Sequence, residues 1–150
     1  MKKIVYLLIV SITLYSCTDD VSFNSPSFQG VKDGQVWRAS DARVIVNKNG
    51  AYTIEAYTQF EVVKFEISSG AVGTRIFGVS NANKVSYQTT IDGTTQSFST
   101  GIGAGSGELK ITESPAVSGK LSGTFKFIVV NSNGDKSGFT NGVIYSIPIK

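Results

Sequence analysis

The chain has 150 residues, with 14 lysines and arginines against 11 aspartates and glutamates, one cysteine and no histidine. Its formal charge of +3 is scattered among acids, so there is no basic stripe to displace counterions from phosphates, and nucleic acid is excluded as an expected partner. The missing histidine excludes Ser-His-Asp and Cys-His nucleophilic schemes and His-based zinc sites, and a single cysteine excludes an intramolecular disulfide.

Met1-Lys2-Lys3 is a short basic start, followed by the uncharged run "IVYLLIVSITL" at residues 4–14. Eleven helical residues span roughly 16 Å, about half of a ~30 Å hydrocarbon core, so the run fits a secretory signal rather than a membrane-spanning helix. Lys2 and Lys3 leave with it, so 12 basic residues face 11 acids and the net charge falls to +1. Leu14-Tyr15-Ser16-Cys17 places leucine three residues before the cysteine and a small residue directly before it. That is the arrangement of a bacterial lipobox, with Tyr15 bulkier than usual. Cleavage would leave Cys17 carrying a diacylglyceryl group and an amine open to a further acyl chain such as palmitate. Several acyl chains on one residue anchor firmly where one binds only marginally. Asp19 and Asp20 follow, as in surface-export signals, and Thr18 stands where an inner-membrane retention aspartate would be. The expected address is therefore the outer membrane, at the cell surface or on its periplasmic face. Residues 1–16 read as signal peptide and 17–29 as lipidated N-terminus and tether, leaving one domain over 30–150.

From Gly30 on, period-two alternation recurs, the mark of half-buried antiparallel strands. Tyr52, Ile54, Ala56 and Phe60 alternate with Thr53, Glu55 and Gln59, and Val63, Phe65 and Ile67 with Lys64 and Glu66. Leu109 and Ile111 flank Lys110, and Leu121, Gly123, Phe125, Phe127 and Val129 alternate with Lys120, Ser122, Thr124 and Lys126. Five pairs, Asp33-Gly34, Asn49-Gly50, Asp92-Gly93, Asn133-Gly134 and Asn141-Gly142, supply the positive φ of tight hairpins. Together they predict an all-β, antiparallel meander of about eight to ten short strands. A β-sandwich is favoured, with a closed or partly closed lipocalin-like barrel as the alternative.

The glycine-rich "GIGAGSG" at 101–107 has Ser106 where a third phosphate-loop glycine would stand, and a strand follows it rather than a helix, so it predicts a flexible inter-strand loop. Catalysis would have to come from carboxylates: Asp33, Asp41, Glu55, Glu61, Glu66, Asp92, Glu108, Glu113 and Asp135. Two facing each other across a groove would suit a glycosidase, but turn and polar-face positions are ordinary solvated sites. "NSNGD" at 131–135 reads as a turn rather than a calcium loop. No cofactor or metal is implied. Trp37, Tyr57, Tyr87, Phe98, Phe139 and Tyr145 would stack on sugars if exposed, though strand aromatics usually fill the core.

"DGQVWRA" at 33–39 and "LSGTFKFIVVNSNGDKSGFTNGVIYSIPI" at 121–149, with the lipobox and acidic tether, resemble an uncharacterised family of small Bacteroidota lipoproteins. Ser122-Gly123-Thr124-Phe125-Lys126-Phe127 and Thr140-Asn141-Gly142 match its closing pattern, while Ile144 replaces a common aromatic. The resemblance implies an exported all-β lipoprotein and no functional residue beyond Cys17. The expected function is a non-catalytic binding or interaction module for a glycan or a surface protein, held to the membrane through its N-terminal lipid. A carrier of a small apolar ligand is the second expectation and a carboxylate-only enzyme the third.

Overall fold

The computed structural model describes residues 27–150. Cys17, Asp19 and Asp20, together with the expected signal peptide and most of the tether, lie outside the described residues. Among the described residues eleven strands follow one another: β1 (Phe28–Lys32), β2 (Gln35–Arg38), β3 (Asp41–Val46), β4 (Tyr52–Tyr57), β5 (Glu61–Ile67), β6 (Gly73–Phe77), β7 (Lys84–Ile91), β8 (Thr94–Ser99), β9 (Ser106–Glu113), β10 (Lys120–Val130) and β11 (Lys136–Pro148). One short helix, α1 (Pro115–Ser118), joins β9 to β10. It starts after Ser114 with proline in its first turn and stops at Gly119, whose φ is 74°.

All strand pairs are antiparallel, along the path β2-β1-β11-β10-β8-β7-β5-β4-β3. β6 leaves the meander and pairs β9, which in turn pairs β10. β10 therefore divides its edge: Ser122 to Ile128 pair with β9, and Val130 alone pairs with Ser99 of β8. The segment just after β11 reaches across to β3 at the far end of the path: Ile149 makes an isolated parallel bridge with Val44, and the Lys150 amide donates to the Val44 carbonyl at 2.9 Å. The strands thus form one hydrogen-bonded sheet curled into a half barrel: the all-β antiparallel class is as expected, and within it the form is the partly closed alternative rather than the favoured sandwich.

The alternation works as the pattern requires. Ile54, Ala56, Val63, Phe65, Ile67, Leu109, Ile111, Leu121, Phe125, Phe127 and Val129 are all buried. Phe65 is central: its ring lies 5.4 to 6.1 Å from those of Phe28, Phe77, Phe125 and Phe127. Burying one such side chain contributes about 1.5–3 kcal/mol, before the added worth of ring–ring geometry.

Three further expectations are corrected. Phe28 and Gln29, read as tether, form the start of β1, with Phe28 fully buried. A single aromatic in a polar run carries no periodicity, so only contacts with distant rings reveal its role. Phe60 does not continue the β4 face; it sits in the β4–β5 turn and is 60% exposed. Asn141-Gly142 is no hairpin but a bulge inside β11, where the pairing with both β1 and β10 slips. Asn141 has φ of 49° there. The other four pairs do lie in hairpin connections. Asp33-Gly34 and Asp92-Gly93 have positive φ at both positions, as a type I′ turn demands.

Residues 101–105 form an inter-strand loop, a tightly fitted one, whereas Ser106 and Gly107, expected within it, already belong to β9. A Cβ at Gly105 would stand 2.5 Å from the Ile128 carbonyl oxygen, and Gly103 donates to the Gly78 carbonyl at 3.1 Å.

Candidate functional site

A cleft of about 410 Å³ opens where the β4–β5 turn meets the end of β7. Glu61, the first residue of β5, lines it and is placed by its ladder partner Thr89 of β7. The turn is fixed by Thr58, whose Oγ1 accepts the backbone N–H groups of Phe60 at 3.3 Å and Glu61 at 3.1 Å. The Phe60 carbonyl then accepts the Thr90 amide at 2.8 Å. With its backbone held on both sides, the Phe60 side chain has only solvent and the cleft to face.

Four side chains from four strands converge here: Lys32 and Glu61 line the cleft, and the buried Tyr87 and Trp37 bond to Glu61 from the core. Glu61 Oε1 accepts Lys32 Nζ of β1 and the Tyr87 hydroxyl of β7, while Oε2 accepts Trp37 Nε1 of β2 at 2.7 Å. Lys32 Nζ also donates to the Tyr87 hydroxyl at 2.7 Å and stands 5.0 Å from the centre of that ring. The side chains of Lys32 and Glu61 are 26% and 18% exposed, so the pair is largely withdrawn from water. Burial pushes the Glu61 carboxyl up, but the hydrogen bonds from Lys32, Tyr87 and Trp37 outweigh it and hold the group below its ordinary value. Burial likewise opposes the Lys32 charge, and its bonds to Glu61 and Tyr87 more than offset that, raising its pKa. Tyr87 is raised by burial first and then by its bond to Glu61. The outcome is an ionised, mutually neutralising pair clamped by two aromatic donors.

Around this network lie groups of another character. Ile91 is 64% exposed and Phe60 nearly as much, and both line the cleft. Thr58, Thr89 and Thr90 add hydroxyls, and Asp92 adds a carboxylate that makes no ion pair among the described residues.

The remaining sequence candidates go elsewhere. Trp37, Tyr87, Phe98 and Phe139 are buried in the core, while Tyr145 is 47% exposed. Tyr57 is half-buried, with the Arg43 guanidinium 5.4 Å from its ring centre. Glu55 accepts Arg43 Nε at 2.8 Å; Glu66 pairs Lys64 at 3.0 Å and Glu108 pairs Lys126 at 3.2 Å. Asp33 accepts Ser137 Oγ at 2.9 Å and the Gly138 amide at 2.7 Å, tying the β1–β2 turn to β11. Asp41 accepts the Ala42 amide at 2.8 Å. Glu113 accepts Ser122 Oγ at 2.6 Å, and the hydroxyls of Ser122 and then Ser118 hold its carboxyl below the ordinary value. Asp135 accepts Asn131 Nδ2 at 2.8 Å, and Asn131 Oδ1 in turn takes the Asn133 and Asp135 amides, so the 131–135 turn satisfies itself. Among the described residues no three carboxylate, cysteine or histidine side chains gather as a metal site would need.

Lys32 was visible in the sequence only as a scattered charge, and Glu61 only as one acid among nine. The available signal is their position beside turns: Lys32 precedes Asp33-Gly34, and Glu61 closes the Thr58–Phe60 turn.

Fold and site together define an all-β half barrel that carries a cleft walled by a neutralised ion pair. The chain belongs to the family described as "Domain of unknown function (DUF6252)", which it matches over residues 24–148. No curated protein and no solved structure matches it.

Proposed function

We propose that the protein is a lipid-anchored outer-membrane lipoprotein of the Bacteroidota type. In this reading Cys17 carries the lipid, Asp19 and Asp20 direct display at the cell surface, and the half barrel is a non-catalytic binding module for a glycan or protein partner. The observation that carries the binding reading is the cleft itself. Exposed Phe60 and Ile91 stand beside a polar wall whose side chains are locked before any ligand arrives, and such pre-organisation lowers the entropic cost of binding. Support for the anchor comes from the sequence "LYSCTDD" at 14–20. A carrier of an apolar ligand is the weaker reading, because the interior is occupied by the rings of Phe28, Phe65, Phe125, Phe127 and Phe139. Acid catalysis also fits poorly, since Glu61 is held ionised rather than poised near neutrality.

Metabolic labelling with a fatty-acid analogue tests the anchor: full-length protein takes the label, and Cys17→Ala does not. Replacing Asp19 and Asp20 by alanine lowers protease accessibility on intact cells; unchanged accessibility removes their export role. Detergent-solubilised full-length protein should capture cell-surface material, and Phe60→Ala should capture markedly less. Equal capture by the two would overturn the cleft as the binding site.

A further inference from the structure

The cleft beside Phe60 is chemically selective, and its selectivity names a ligand class. Among the described residues Lys32 is the one cation lining it, and Glu61 already neutralises that charge. With Asp92 added, the cleft carries no surplus positive charge to hold a phosphate, sulfate or carboxylate. A wholly apolar ligand would strip water from the Asp92 carboxylate and from the exposed side of the Lys32–Glu61 pair. An extended peptide would need free backbone groups to pair with, yet β5 and β7 are paired with each other from Glu61–Thr89 onward.

The lining is best complemented by an uncharged ligand rich in hydroxyls that also presents an apolar face. The cleft offers the complement to each feature. An ammonium has three N–H donors, and Lys32 uses two of them, on Glu61 and Tyr87, leaving a third for a ligand oxygen. Asp92 is an acceptor without an ion-pair partner among the described residues, suited to ligand hydroxyl protons. Thr58 Oγ1 spends its lone pairs on two amides, so its own proton is left to donate. The exposed Phe60 ring has an electron-rich face for the C–H face of a sugar ring, with Ile91 extending the apolar contact. At about 410 Å³ the cleft lies in the size range of small-ligand sites.

We infer that this cleft is a site for a neutral saccharide, stacked on Phe60 and hydrogen-bonded by Asp92 and Lys32. The inference rests on the binding-module reading and narrows it.

The test uses full-length protein in detergent on an array of neutral and anionic oligosaccharides, followed by titration of hits through Trp37 emission. Trp37 is the only tryptophan in the chain and its indole N–H is bonded to Glu61, so it reports on the cleft wall. Neutral oligosaccharides should bind. Phe60→Ala should weaken them about tenfold or more, Asp92→Asn should weaken them several-fold, and Tyr145→Ala, an exposed aromatic that does not line the cleft, should leave affinity unchanged. Folding of each variant is checked by its far-ultraviolet spectrum and unfolding midpoint. Absence of neutral binders, preference for anionic ones, or indifference to Phe60→Ala would each overturn the inference. Phe60-dependent capture of a surface protein, with no glycan bound, would overturn the saccharide assignment and keep the binding-module reading. Failure to capture either would remove both.

Discussion

Gly142 of β11 lies directly against Phe125 of β10: a Cβ added at Gly142 would stand 2.4 Å from two carbons of the ring. The two residues are ladder partners beside the Asn141 bulge. The missing side chain is therefore what admits the ring into the core. Gly142→Ala should lower stability by about 1–3 kcal/mol through overpacking, read as a fall in the urea midpoint. Because the clash is with one named ring, the penalty should shrink in a Phe125→Leu background; an unchanged penalty would place its origin elsewhere.

Glu61 binds three partners with two oxygens, and its two obvious replacements should separate what each partner needs. Glu61→Gln keeps an oxygen for the Trp37 indole but leaves the half-buried Lys32 charge uncompensated. A loss of about 1–2 kcal/mol is expected for a partly screened, charge-assisted contact. Glu61→Ala removes the acceptor altogether, so Trp37 emission should move clearly in this variant and little in Glu61→Gln. Identical spectra would show that the indole does not depend on this bond.

Stability against pH follows from the direction of each displaced pKa. Glu61 and Glu113 titrate below the ordinary carboxyl value of 4.5 in the folded protein, so the unfolded chain takes up protons first as pH falls. Their contribution is whole above that value and is lost as pH falls through the folded-state pKa. Lys32 and Tyr87 are raised from 10.5 and 10.0, so theirs is whole below those values and lost as pH rises through the folded ones. With no histidine to titrate between, the urea midpoint should be flat from about pH 6 to about pH 9 and fall on both sides. A slope near pH 7 would mean that another group is coupled to folding.

Phe60 and Phe65 are five residues apart, yet they should behave oppositely. Phe65→Ala empties the centre of the aromatic cluster and should cost about 3–5 kcal/mol. Phe60→Ala removes a ring already in solvent and should stay within about 0.5 kcal/mol of the parent. A large loss at Phe60 would assign its ring to the core and close the cleft as a ligand site.

Phe60 also marks where the sequence stops being informative. Alternation placed Val63, Phe65 and Ile67 correctly, because each strand's own pleat dictates which side chains share a face. The same alternation, carried through Thr58 into the β4–β5 turn, put Phe60 in the core, because period two contains no mark of where a strand ends. Asn141-Gly142 failed for a related reason: positive φ serves a hairpin and a bulge equally, and only the ladders on both sides of β11 distinguish them. The candidate site was less legible still. Lys32, Trp37, Glu61 and Tyr87 come from four strands, and nothing local to any of them indicates the other three.

The sequence by itself determined the all-β antiparallel class, the turns at Asp33-Gly34 and Asp92-Gly93, and most of the inward-facing residues, since these depend on pleat and backbone φ over a few neighbours. Only the tertiary structure decided that β6 leaves the meander for β9, that Phe28 belongs to the core, and that Ile149 meets Val44 to curl the sheet. It alone brought Lys32 to Glu61. Those outcomes depend on which distant strands pair, and pairing is fixed by the packing of whole faces rather than by any single segment.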